Sequence, residues 1–206
     1  MTVLYRLAAD AAAIAARFGA QAAAADPWAG GTIAPGQFAP VLTTGREFVA
    51  GPRGERQPMR MVPRQWGVPP PPAAGDPARG VLTVRNPDSP FWIGNLRNSE
   101  FRCLVPATSV MVWGRVDPTT GKRRQLWLSP TDQPLFAIAG VWKDSEVPSF
   151  ALLTCEANAA WRQAGQQAMP AILPGEPEVW RTWLRGDWKR AEALLVPYPS
   201  SLICGG

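Results

Sequence analysis

The middle of the chain alternates short apolar runs with turn chemistry, and that rhythm limits the fold more than any other feature. The runs are "RCLVPATSVMVWGRV" (102–116), "RRQLWLS" (123–129), "LFAIAGVW" (135–142) and "FALLTCEA" (150–157). "DPTTGK" and "PTDQP" separate them, and Pro, Gly, Asp and Thr there favour reversal of the chain. The first run reads as a buried strand pair, or as one strand broken at Pro106. Together the runs predict a meander.

Upstream, Thr2 to Leu7 reads as a strand, as do "APVLTT", "EFVAG", "RQPMRMVPRQWG" and "VLTVRN". "VPPPPAAGDPARG" is an extended Pro-rich loop. Helices are predicted at both ends. Asp10 is placed to cap a helix with Ile14 and Phe18 on one face and Gly19 at its end. A second helix starts near Asn158. A third, "PEVWRTWLRG", sets Trp180, Trp183 and Leu184 at helical spacing between Pro177 and Gly186. Asp187 caps a last short one. The prediction is an α+β fold, a curled, barrel-like sheet flanked by helices. No linker divides it, so residues 1–206 read as a single domain.

Composition narrows the chemistry. The chain has no histidine. That removes the usual general base near neutral pH, the commonest metal ligand and every Ser-His or Cys-His mechanism. Three widely spaced cysteines, Cys103, Cys155 and Cys204, form no CxxC and predict buried thiols rather than disulfides or a metal site. No cofactor or metal is expected. Lys and Arg exceed Asp and Glu by 21 − 16 = 5, a basic excess that suits a polyanionic partner. No run is apolar for long enough to span a bilayer. A cytoplasmic protein, or one associated with the nucleoid, is expected, most simply as a monomer.

Six stretches then fall in order: "LYRL", "IAPGQ", "RQWGVP" (64–69), "RNPDSPFW…FRCLVPATS" (85–109), "LFAIAGVW" and "TCEAN…AMPAIL" (154–173). In this the chain resembles the SOS-response-associated peptidase (SRAP) family over nearly its whole length. The resemblance implies a protein of the DNA-damage response that acts on abasic sites in single-stranded DNA. In that family a Cys follows the initiator Met. Its exposed amine and thiol capture the open-ring aldehyde, with an Asn, a Glu and a His around it.

All four positions are altered here. Thr2 stands at the nucleophile. "TVR" puts Thr83 at the Asn and keeps Arg85. "VMVWG" puts Val112 at the Glu and keeps Trp113. "AGQQAMP" puts Gly165 at the His, with Gln167 where a basic residue is usual. A hydroxyl is far less acidic than a thiol, so Thr2 is a poor nucleophile without a base beside it. General acid–base groups are worth about 10² to 10⁴ each in rate. Their joint loss points to a member that has given up covalent chemistry.

For binding, the resemblance makes Arg85 a phosphate contact and Trp66 a ring that stacks on a base. Trp66 reads equally well as a core residue. Arg6, Trp113 and Arg64 complete the DNA-binding candidates. Arg53, Arg56, Arg60 and Arg64 form one basic cluster and Lys122, Arg123 and Arg124 another. Each is either a phosphate contact or solvated surface. Trp127, Trp142, Trp180 and Trp183 read as core.

Three functions follow. The first is non-covalent binding of single-stranded DNA at abasic sites or junctions. The second is residual cross-linking or autopeptidase chemistry at Thr2, its own α-amine acting as base. The third is a scaffold that docks a DNA-repair or phage protein. On this reading Thr2, Thr83, Val112 and Gly165 should converge at one end of a basic groove holding Arg85.

Overall fold

The computed structural model describes residues 4–22, 27–45, 57–71 and 80–205. Thr2, Arg53, Arg56, the "EFVAG" run and most of the Pro-rich loop lie outside these.

The chain opens with β1 (Leu4–Leu7), then α1 (Ala11–Phe18). The Asp10 carboxylate accepts from the Ala13 N–H at 2.8 Å, and Gly19 closes the helix at φ 65°. Ile14 and Phe18 are its buried residues. Next come β2 (Gly31–Ile33), β3 (Phe38–Thr43), β4 (Arg60–Trp66), the two-residue β5 (Thr83–Val84) and α2 (Ile93–Arg97). The central runs become β6 (Arg102–Ala107), β7 (Ser109–Val116), β8 (Arg123–Pro130), β9 (Phe136–Lys143) and β10 (Ser149–Glu156). The chain finishes with α3 (Ala159–Gln163), β11 (Ala168–Pro170), β12 (Ile172–Leu173), α4 (Pro177–Arg185), α5 (Trp188–Glu192) and β13 (Ile203–Gly205).

The strands form two sheets. One has the order β13-β8-β7-β1-β2, and the other runs β11-β10-β4-β3-β6-β9-β12 with β5 beside β10. In the second sheet β10 also pairs with β9, so β10, β4, β3, β6 and β9 close into a ring. It is a ring rather than a regular barrel. Leu42↔Leu104 alone joins β3 to β6, and two parallel pairs, Ser149↔Gln65 and Phe150↔Trp66, join β4 to β10. The α+β class and the curled sheet flanked by helices are as the sequence predicts.

The meander is corrected. β6 and β7 follow one another, yet β6 pairs with β9 and β3 while β7 pairs with β1 and β8. The chain changes sheet at Thr108. Its N–H and hydroxyl both donate to the Arg6 carbonyl, at 2.7 and 3.0 Å, and its hydroxyl accepts from the Ala8 N–H. A β1 strand is therefore stitched to the corner where the sheets diverge.

Helix α4 lays Trp180, Trp183 and Leu184 into the core. The Trp183 indole N–H donates to the Cys103 carbonyl at 2.8 Å, and Trp180 meets Phe18 at 4.7 Å between ring centroids. Buried aromatic side chains of this size contribute roughly 1.5–3 kcal/mol each. Arg102 is fully buried beside them, donating to the carbonyl of Gly186. Burial lowers its guanidinium to about 10, against the opposing pull of Asp187. Trp142 is core, as predicted, whereas Trp127 is only half-buried. The three thiols do not share one environment: Cys103 is buried, Cys155 half-buried and Cys204 exposed.

Candidate functional site

The end of β10 builds the site. β5 lies parallel to it, with Leu152↔Thr83 and Leu153↔Val84 in register. β11 lies antiparallel, with Thr154↔Pro170 and Cys155↔Met169. The Thr154 hydroxyl donates to the Val84 carbonyl at 2.9 Å and locks β5 in place. A two-residue strand has little holding it otherwise.

A cleft opens between these strands. Its inner end is lined by Thr83, Arg85, Thr154, Gln166 and Gln167, over Met169 and Pro170. It widens to about 520 Å³ past Cys155, Glu156, Glu192 and Leu195. The inner end thus offers hydroxyls, carboxamides and one guanidinium.

The structure brings Thr83 and Arg85 together here. It does not bring Val112 or Gly165. Val112 is fully buried in the main core, opposite Leu126 on β8. Gly165 sits at φ +82°, a left-handed turn that a side chain would strain. A Cβ there would also stand 3.2 Å from Arg115 Cγ. The side chain this turn sends into the cleft belongs to Gln166. Its amide Nε2 donates to the Trp113 carbonyl at 2.8 Å, which fastens the turn to β7. Gln166 is not among the residues the sequence singles out, and a glycine's own need for a turn was the available clue.

Trp66 is also corrected. It is 0% exposed, its ring lies 5.1 Å from Tyr5 edge to face, and its Nε1 donates to the Leu82 carbonyl at 3.1 Å. No base reaches it. Arg64 is half-buried over Trp142, 4.8 Å from ring centroid, and does not line the cleft. Arg6 is exposed over Trp127 at 4.3 Å, likewise away from the cleft. Trp113 is half-buried and touches the site through its backbone.

The groove is not basic throughout. Its wider part carries Arg85 against two carboxylates, Glu156 and Glu192. Burial also pushes the Cys155 thiol up to about 11, so it stays protonated near neutral pH and is a weak nucleophile. Among the described residues no group of three or more His, Cys, Asp or Glu comes together to hold a metal. No helix among them is long and apolar enough to cross a membrane.

Two sheets with a cleft at one strand end define an α+β domain, and comparison narrows this to one family. The chain belongs to the SOS response associated peptidase (SRAP) family, whose sequence model matches residues 1–204. Its fold is similar to that of a protein from Bacteroides thetaiotaomicron, with a TM-score of 0.75 at 17% identity, covering 98% of this chain and 90% of that one. It is similar also to a protein from Bordetella bronchiseptica, with a TM-score of 0.71 at 19% identity over 99% and 98% of the two chains. A phage-related protein from Bordetella bronchiseptica has a TM-score of 0.71 at 17% identity over 99% and 92%. Among curated proteins, none matches the chain by sequence.

Proposed function

We propose that this SRAP-family member binds single-stranded DNA without bonding to it covalently, in response to DNA damage. The observation that carries the reading is the lining of the cleft's inner end. Thr83, Thr154, Gln166 and Gln167 hydrogen-bond but do not exchange protons near neutral pH, and Arg85 is a permanent cation. Such a set can hold a phosphate and the polar edges of a nucleotide. It supplies no general acid or base for aldehyde capture.

Thr83 stands where the resemblance puts the family's Asn and Gly165 where it puts the His, and the side chain beside that glycine, Gln166, lines the cleft. A carboxamide keeps hydrogen bonding where an imidazole would also move protons. With Val112 at the position of the Glu, the proton-transfer groups of the family have no counterpart in this chain.

The test uses two measurements on the full chain. Anisotropy of a labelled abasic single strand at low salt reads binding. Borohydride treatment of the same mixture reads covalent capture. Saturable binding that salt weakens, with no trapped band, is the expected result. No binding at low salt removes the proposal. A trapped band that disappears in Thr2→Gly transfers the function to chemistry at Thr2.

A further inference from the structure

Successive side chains of a strand point to opposite faces of its sheet. On β7 and β8, Val110, Val112, Leu126 and Leu128 pack with the main core. The residues between them therefore face the other way. They pair as Met111↔Trp127 and Trp113↔Gln125. On the neighbouring strand, Leu4 pairs with Met111 and Arg6 with Ser109. Leu4, Met111, Trp113 and Trp127 stand outside the main core cluster on the outer face of the five-stranded sheet, where Met111 is buried and the other three are half-buried. Trp113 and Trp127 are half-buried, which leaves part of each side chain open.

The charge of this face is one-sided. Arg6 lies at one end with its guanidinium 4.3 Å from the centre of the Trp127 ring. Arg123, exposed, opens β8 at the other end, two residues before Gln125. No outward position of β1, of β8, or of β7 as far as Trp113 holds a carboxylate. The wide part of the cleft, with Glu156 and Glu192, is the less hospitable route for a polyanion. The two surfaces meet at Trp113, whose carbonyl is held by Gln166 from the cleft.

We infer that this outer face is a second surface for single-stranded nucleic acid, on which Trp113 and the Arg6 guanidinium seated on Trp127 support successive bases while Arg123 meets the backbone. The inference rests on the proposed DNA-binding role and extends it beyond the cleft. Diagonal neighbours on adjacent strands stand about 7–8 Å apart, so the Trp113 ring and the guanidinium over Trp127 can serve different bases of an extended strand. Arg6 presents a planar cation backed by an indole, and bases stack on such planes as they do on aromatic rings. The chemistry is that of a backbone-tracking, sequence-tolerant platform.

The experiment compares a short oligothymidylate, sized to the cleft, with a longer one that reaches the sheet. Both are titrated against the full chain at low salt. Trp127→Ala is expected to weaken the longer oligomer about tenfold and leave the shorter one unchanged. Trp127→Phe is expected to retain most of the affinity because it keeps a ring. Arg123→Gln, on an exposed hairpin where folding is not at stake, is expected to lower the salt slope for the longer oligomer by about 0.7. Equal binding of the longer oligomer by wild type, Trp127→Ala and Arg123→Gln overturns the inference while leaving the cleft reading intact. Failure of wild type to bind either oligomer removes the cleft reading, and this one with it.

Discussion

The Gln166 side-chain amide donates to the Trp113 carbonyl at 2.8 Å, across 53 residues of sequence. Through this bond a turn of one sheet system is fixed to a strand of the other. It also commits one of the two amide protons of Gln166 to structure at the edge of the cleft that the residue lines.

Gln166→Ala removes that tie. A hydrogen bond of this kind contributes about 1 kcal/mol net. The melting temperature should fall by about 2–4 °C for a chain of this length. Gln167→Ala, whose residue is exposed in the same cleft, should leave it unchanged. Differential scanning calorimetry distinguishes them, and equal melting of both variants would show that the bond does not tie the sheets.

Arg85→Ala should weaken binding of single-stranded DNA without affecting the fold, because the residue is exposed. Losing one phosphate contact should lower the slope of log K against log salt by about 0.7. Anisotropy titrations across a salt series measure this. An unchanged slope would take Arg85 out of the interface.

Trp66→Ala should be costly in stability and neutral in recognition. Deleting a buried Trp typically costs about 3–5 kcal/mol, and here it also removes one of the two hydrogen bonds to the Leu82 carbonyl, leaving that from the Leu152 N–H. Urea unfolding reads the first effect. DNA affinity of the folded variant reads the second, and a large loss of affinity with normal stability would return Trp66 to the binding surface.

The thiols should separate by pH. Exposed Cys204 is expected to alkylate first near neutral pH. Cys155, held at about 11 by burial, should gain reactivity about tenfold per pH unit as its thiolate grows. The same shift sets a sign for stability. Between the ordinary value of 9.0 and about 11, the native thiol keeps a proton that the unfolded chain has lost. Its contribution is complete below 9.0 and is lost as pH rises towards 11. Mass-spectrometric labelling rates and urea midpoints of wild type and Cys155→Ala check the two effects.

Local chemistry was legible where it acts locally. The cap at Asp10, the stop at Gly19 and the Trp180–Trp183 face of α4 each follow from neighbours within a few residues. The sheet change at Thr108 was not, because "PATS" looks the same whether the next strand pairs back or leaves. That choice is made by Arg6, about a hundred residues away. Trp66 was ambiguous for a related reason: its partners, Tyr5 and Leu82, come from both sides in sequence. At the site, motif order singled out Thr83 and Arg85, which line the cleft, and Val112 and Gly165, which do not, while nothing in the motif marks Gln166 beside that glycine. The five-residue helix α2 and the two- or three-residue strands β11, β12 and β13 were not foreseen, since segments so short carry no readable period.

Closure by β10 has a consequence for how the chain is made. The strands it joins, β4 and β5 from the first half and β9 and β11 from the second, have no complete sheet until it arrives. Distant pairing of this kind is slow because chain entropy must be lost before the contacts form. On the ribosome, β3 and β4 must therefore wait, with one edge unsatisfied, through the synthesis of some eighty further residues. The nascent protein depends on a late segment to become anything at all, and shortened products that stop before Ser149 should be prey for proteases or chaperones rather than smaller working domains.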